Sequence, residues 1–185
     1  MDPVQRLAPY LLEGETLRWT GRPDPRVTLA RADTFLLPLG VIWTALIATV
    51  VATGPMRPLP LVVGGVFVLA GFYVLAGRFA VKRRRKLRTA YGVTQRRMLV
   101  AGPDDSIVAG DLDSEDVTII RSRDGRHASV IPESSAAAVR GPATYANTGL
   151  DLGGHINRAD TAFYDVRDPE SMLDAVRTAA ATKKS

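Results

Sequence analysis

Two histidines, a string of carboxylates, one glycine-rich stretch and one basic run are the parts of this sequence that could do chemistry. His127 and His155 stand apart, with no HExxH pattern and no second histidine at ligand spacing, and the chain has no cysteine. A metal would have to recruit carboxylates distant in sequence, while thiolate nucleophiles, disulfides and cysteine-ligated clusters are excluded. His127, directly after Asp124-Gly125, reads as an exposed strand residue, and His155 in Gly153-Gly154-His155 reads as a loop residue. Asp104, Asp105, Asp111, Asp113, Glu115 and Asp116 could attract a divalent cation, but they read first as solvated turn carboxylates. Gly149-Leu150-Asp151-Leu152-Gly153-Gly154 lacks the strand–turn–helix context in which glycines cradle a phosphate. There is neither a Walker loop nor a Gly-x-Ser-x-Gly elbow. The expectation is a protein that is not an enzyme and that uses no metal and no cofactor.

The basic run is the strongest charge feature: Lys82, Arg83, Arg84, Arg85, Lys86 and Arg88, interrupted only by Leu87. Near an anionic leaflet each such residue contributes about 1 kcal/mol, so phosphatidylglycerol or cardiolipin headgroups would gather there. The same charges also fix the topology of a membrane segment ending beside them. Nucleic acid is not expected as a partner, because that would need basic residues interleaved with readers on an exposed element.

The run follows two segments that explain its position. No residue from Thr34 to Met56 is charged, and a second uncharged run extends from Pro58 to Gly77. About 20 apolar residues span a hydrocarbon core of roughly 30 Å, so both runs are expected to cross a bilayer. Residues 1–88 hold 13 basic against 5 acidic side chains (+8), and residues 89–185 hold 11 against 14 (−3). Arg18, Arg22, Arg26 and Arg31 precede the first run and the basic cluster follows the second, with only Arg57 between them. The positive-inside rule then puts both termini in the cytoplasm. The runs carry no ionisable side chain that would mark an ion path or proton relay. Gly40, Thr44, Ala48 and Ala52 recur every four residues along the first span, and Gly64, Gly65, Ala70 and Gly71 are the small residues of the second. They are expected to pack the spans into a hairpin, or to meet another subunit or a second copy.

Beyond Thr89 the sequence reads as short strands and one helix. Strands are expected over 90–93, 97–101, 106–111, 116–123, 126–131 and 161–166, with Asp124-Gly125 as a two-residue hairpin turn. A helix opens at Asp168-Pro169-Glu170, with Met172, Leu173 and Val176 on its apolar face. Residues 132–160 read as an extended loop that offers a contact surface.

Three stretches resemble a known family. Leu12-Glu13-Gly14-Glu15-Thr16-Leu17-Arg18-Trp19-Thr20-Gly21-Arg22-Pro23-Asp24-Pro25 resembles the opening of bacterial membrane proteins that carry a pleckstrin-homology (PH)-like domain. Tyr91-Gly92-Val93-Thr94-Gln95-Arg96-Arg97-Met98-Leu99-Val100 resembles their strand pair after the membrane hairpin, and Phe163-Tyr164-Asp165-Val166 their last strand. The resemblance implies an α+β membrane protein: a two-helix transmembrane hairpin plus a small PH-like barrel or sandwich capped by a C-terminal helix. On that reading, residues 1–33 are an N-terminal cytoplasmic segment, 34–54 and 59–81 the spans, and 55–58 an external link. Residues 82–88 are then the basic juxtamembrane run and 89–185 the domain, with its helix at 168–182. Tyr91, Val93, Met98 and Val100 are expected in the domain core, while Trp19 is expected either on the domain or at the membrane interface. The function expected is a non-catalytic adaptor or accessory subunit that binds an unknown protein, possibly a second copy, in the bacterial inner membrane. The alternative is an anionic-lipid sensor using the run 82–88 with Arg96 and Arg97. Behind both stands a hydrolase using His155 with loop carboxylates.

Overall fold

A computed structural model describes residues 2–27, 29, 33–54, 57–103, 106–112, 117–122, 125–132 and 161–183. His155, nearly all of the expected loop 132–160 and the carboxylates at 104–105, 113, 115 and 116 lie outside the described residues. The described residues fall into two compact units. One takes in the chain up to Val27 together with residues from Arg83 onward, and the other takes in the residues between them, to Lys82.

The second of these units is a helical hairpin. Helix α2 runs Asp33–Thr53 and α3 runs Pro58–Phe72, with Pro58 at the first helical position. A π-helical turn, Tyr73–Gly77, joins α3 to α4 (Arg78–Arg88), so the helix is continuous over 58–88. Both helices are long and apolar enough to cross a membrane. Only 6% of the most apolar stretch of α2, and 11% of that of the 58–88 helix, is buried, so neither is a buried core helix within this chain. Large apolar side chains such as Phe35, Leu46, Leu59 and Leu69 are exposed.

The seam of the hairpin follows alternate steps of four and three. Asp33, Leu37, Gly40, Thr44, Ile47 and Val51 are among the less exposed residues of α2, and Gly64, Val68, Gly71, Leu75 and Arg78 those of the facing helix. A Cβ on Gly71 would overlap Thr44, one on Gly64 would overlap Val51, and one on Gly40 would press on Leu75. These contacts run in opposite directions along the two helices, so the packing is antiparallel. Gly65 faces open space, and Ala48 and Ala52 are exposed. The every-four ridge therefore holds only at Gly40 and Thr44. Each four-residue step advances about 400° around a helix, so the ridge drifts about 40° per step off the seam. Trp43 meets Phe67 edge-on at 5.8 Å. The hydroxyls of Thr44, Thr49 and Thr53 donate to the carbonyls of Gly40, Ala45 and Thr49, which removes free donors from apolar surroundings. At the end of the hairpin that carries the flanking charge, Arg78 pairs with Asp33 and lies 4.5 Å over the Phe79 ring. Both ions are buried and sit immediately outside the two uncharged runs, Asp33 before Thr34 and Arg78 after Gly77.

Among the described residues, the other unit has seven strands. Strands β1 (Leu17–Gly21), β2 (Ala90–Thr94), β3 (Arg97–Ala101) and β4 (Ile107–Asp111) form one antiparallel sheet in that order. Strands β5 (Val117–Arg121), β6 (His127–Pro132) and β7 (Phe163–Arg167) form the second. A bridge between Pro23 and Val166, with the Asp24 N–H donating to the Asp165 carbonyl at 2.9 Å, joins the end of β1 to β7. Between the sheets lies a core of Tyr91, Val93 and Met98 from the first, Val130, Phe163 and Val166 from the second, and Met172, Leu173 and Val176 from helix α5 (Glu170–Lys183). Tyr91 stacks on Phe163 at 4.6 Å, and Trp19 lies 5.9 Å from the same ring, so Trp19 belongs to the domain.

The N-terminal residues are part of this unit rather than a separate segment ending at residue 33. Helix α1 (Pro3–Leu7), capped by Asp2, places Leu7 on Ala90, Leu99 and Ala101, the outer face of the first sheet. Alternation along β2 turns Tyr91 and Val93 inward and leaves Gly92 beneath Leu7, 2.7 Å from where a Cβ would sit. Helix α5 starts at Glu170 rather than 168, because Asp168 has φ 49° and lies outside helical geometry.

Replacing Gly71 by Val should destabilise the hairpin by about 1–3 kcal/mol through overpacking. Gly65→Ala should be neutral or stabilise by up to about 1 kcal/mol. Thermal unfolding of the two variants in detergent micelles checks the pair.

Candidate functional site

Helix α4 carries the basic run, and its geometry divides the run into two faces. At about 100° per residue, Arg78, Lys82 and Lys86 fall on one side and Arg83, Arg84, Leu87 and Arg88 on the other. Arg78, Lys82 and Lys86 are buried, Arg85 is half-buried, and Arg83, Arg84, Leu87 and Arg88 are exposed. Arg83, Arg84 and Arg88 make no side-chain ion pair among the described residues.

Lys86 is held by three acceptors. Its Nζ donates to Asp165 Oδ2 at 2.6 Å, to the Val27 carbonyl at 2.6 Å and to the Asp24 carbonyl at 3.1 Å. Three N–H groups meet three oxygens, the condition under which a buried ammonium is tolerated. Asp165 reaches this position from an irregularity in the β6–β7 ladder, with φ 51°, a left-handed conformation that Asp accepts more readily than most residues. Its own N–H donates to Ser129 Oγ at 3.0 Å.

Asp24 extends the network. One of its oxygens accepts the Arg26 N–H at 2.8 Å and the other lies 3.1 Å from His127 Nε2. Burial would raise the Asp24 pKa, but these two partners and the charge of Arg167 together outweigh it and hold the carboxyl below its usual value. His127 is thus a partly buried partner of Asp24, not the exposed strand residue expected from its place after a turn; its side chain is 17% exposed. Arg6 adds a further tie, donating to the carbonyls of Arg88 and Gly102.

A second cluster lies at the other end of β2. Glu15 accepts from Arg97 Nε at 2.9 Å and Nη2 at 2.8 Å, one oxygen to each nitrogen, and from the Thr94 hydroxyl at 2.7 Å. The Arg97 bonds, against the opposing effect of burial and with help from the Leu12 N–H and Thr94, lower the Glu15 pKa from 4.5 to about 2. Arg97 also donates to the Tyr10 carbonyl at 3.0 Å, so its guanidinium is engaged inside the domain. Arg96 is exposed beside it and lines a shallow groove with Leu12, Glu13, Glu15, Gln95 and Asp111. The length of β2, about 3.3 Å per residue, separates this turn from the strand end where α4 joins. The structure therefore does not bring Arg96 and Arg97 together with the run 82–88.

The side chains to which sequence reasoning assigned no role are Glu15, Asp24, Asp33, Arg78 and Asp165, while His127 was assigned to the surface. A signal was present, because Glu15, Asp24, Arg97 and Asp165 are among the polar residues of the three quoted stretches, and the fold pairs Glu15 with Arg97, Asp165 with Lys86 and Asp24 with His127. Among the described residues no three His, Asp or Glu side chains are grouped to hold a metal ion. No protein-family model, curated protein or solved structure matches the chain.

Lys86→Met should cost about 3 kcal/mol, because it strands the Asp165 carboxylate and two carbonyls, whereas Arg84→Gln should stay within about 0.5 kcal/mol. Denaturant unfolding followed by tryptophan fluorescence separates the two. For Glu15, the depressed pKa means that its stabilisation is present above pH 4.5 and lost as the pH falls through about 2. Glu15→Gln should lower stability at neutral pH by about 2 kcal/mol and flatten that acid loss, which unfolding curves between pH 7 and pH 2 will record.

Proposed function

We propose that this chain is a non-catalytic interaction module anchored in a membrane, an adaptor or accessory subunit whose PH-like domain lies at the cytoplasmic face of a bacterial inner membrane. The observation that carries the reading is connectivity. The whole helical hairpin lies between β1 and β2, strands that are neighbours in one ladder, with Gly21 opposite Tyr91. A segment that leaves and re-enters a sheet at one end must cross a bilayer an even number of times. This agrees with the charge flanks that place both termini on the same side. The 31-residue helix over 58–88 is about 46 Å long, against roughly 30 Å of hydrocarbon. Its apolar part fills the bilayer and its basic part extends into the headgroups and beyond.

The PH-like reading is supported by four strands, then three, then a C-terminal helix whose apolar side enters the core between the sheets. The bacterial inner membrane is supported by the resemblance of the three stretches. An adaptor role is supported by a small domain whose described polar clusters are structural ion pairs. The second reading, an anionic-lipid sensor, is favoured by the exposed arginines of α4.

The absence of cysteine from the sequence makes topology directly testable. A single cysteine at Ala181 should be labelled by a membrane-impermeant maleimide only after the membrane is opened, and one at Arg57 should be labelled in intact cells; the reverse pattern contradicts the orientation. Purification of the full chain from native membranes in nanodiscs, with mass spectrometry of what accompanies it, separates the two functions. The adaptor reading expects a stoichiometric protein. Enriched anionic lipid alone would favour the sensor.

A further inference from the structure

We propose that the outward face of α4, formed by Arg83, Arg84 and Arg88 around Leu87, is a binding site for the phosphate groups of anionic lipid. The inference rests on the reading of the 58–88 helix as a membrane span and deepens it by assigning the site to particular residues.

The inward cations are already engaged. Lys86 spends its charge on Asp165 and two backbone carbonyls, and Arg78 spends its charge on Asp33. Lys82 is buried with them. A headgroup reaching any of these would have to break a satisfied buried contact. Arg97 is likewise committed to Glu15, and Arg96 sits at the far end of β2. Subtracting these, and the half-buried Arg85, from the basic residues of the region leaves three arginines that are exposed, on adjacent turns of one helix face, with no carboxylate paired to them among the described residues.

The character of this face indicates its occupant. Leu87 lies among the three guanidinium groups and is 54% exposed. Such a face combines oxyanion donors with an apolar side chain, which fits the boundary between lipid phosphates and acyl chains. Arginine also suits phosphate better than a point charge would, because its fork donates two parallel hydrogen bonds. The face follows directly on a helix whose apolar surface is exposed along its length, so the arginines come at the turns where hydrocarbon gives way to headgroups. An acidic protein segment would satisfy the charges but would have no use for Leu87.

The test places the full chain in nanodiscs of equimolar phosphatidylcholine and phosphatidylglycerol and measures, by mass spectrometry, the ratio of the two lipids that stay bound after dilution into detergent. The wild-type chain should retain phosphatidylglycerol in preference. Each Arg→Gln change at 83, 84 or 88 should weaken that preference roughly fivefold at low salt, about 1 kcal/mol, and the triple variant should return to the bulk ratio. R83K/R84K/R88K should keep part of the preference, and R96Q all of it. The melting temperature of the triple glutamine variant should match that of the wild type, so any loss reads on lipid rather than folding. An unchanged preference in the triple variant, no preference in the wild type, or an equal effect of R96Q would overturn the assignment. Failure of the chain to incorporate into nanodiscs at all would overturn the membrane reading along with it, and is distinguishable from those results.

Discussion

An ammonium group removed from water must find its hydration again in the protein, and the way Lys86 does so fixes much of the domain around it. The lysine comes from α4, one carbonyl from the end of the N-terminal segment, and its carboxylate from a kinked position in β7. Those pieces are far apart in sequence, and the hairpin separates two of them. The bond set therefore closes the domain at the point where the chain departs toward the helices and where it returns. The Pro23–Val166 bridge and the Asp24–His127 pair lie next to it, so the corner between the two sheets depends on the same cluster.

The same helix shows how burial sorts residues of one chemical type. Lysines and arginines are mixed through 82–88 with little to tell them apart in composition, yet helical periodicity sends some into contacts with acids and carbonyls and leaves the others in solvent. The inward set is costly to disturb because Arg78 and Lys86 neutralise Asp33 and Asp165, which would otherwise lie away from water without a counter-charge. The outward set contributes little to stability and is free to meet a ligand. In the proposed reading, one helix thus anchors the domain by one face and presents charge to the bilayer by the other.

Much of this was legible in the sequence and some was not, for identifiable reasons. The two apolar runs stand out because nothing else produces such long uncharged stretches. The strand pair around Thr94-Gln95-Arg96 and the Asp124-Gly125 turn are local signals, and the structure places strands on both sides of each. The pairing of β1 with β2 is not local: Leu17–Gly21 finds its partner only after the whole hairpin has been made, so no window of sequence contains both. Trp19 could not be placed for the same reason. Of the small residues in α2, Gly40 and Thr44 were legible as positions of the hairpin seam, while Ala48 and Ala52 lie off that seam because a four-residue repeat is not the period of two packed helices. The buried status of Lys86 and Lys82 was hidden inside what looked like a uniform basic run. His127 looked exposed because its turn is near, whereas its neighbour in space is Asp24.

The central claim, that α2 and the apolar part of the 58–88 helix cross a bilayer while the outward face of α4 lies at its surface, is tested most directly by spin-label accessibility. Nitroxides would be attached singly at Leu46, Leu69 and Arg84 of the chain in lipid bilayers, and their relaxation compared in oxygen and in a water-soluble nickel chelate. The account predicts that positions 46 and 69 respond to oxygen and not to nickel, and that position 84 responds to nickel. Nickel access at 46 and 69 equal to that at 84 would contradict it.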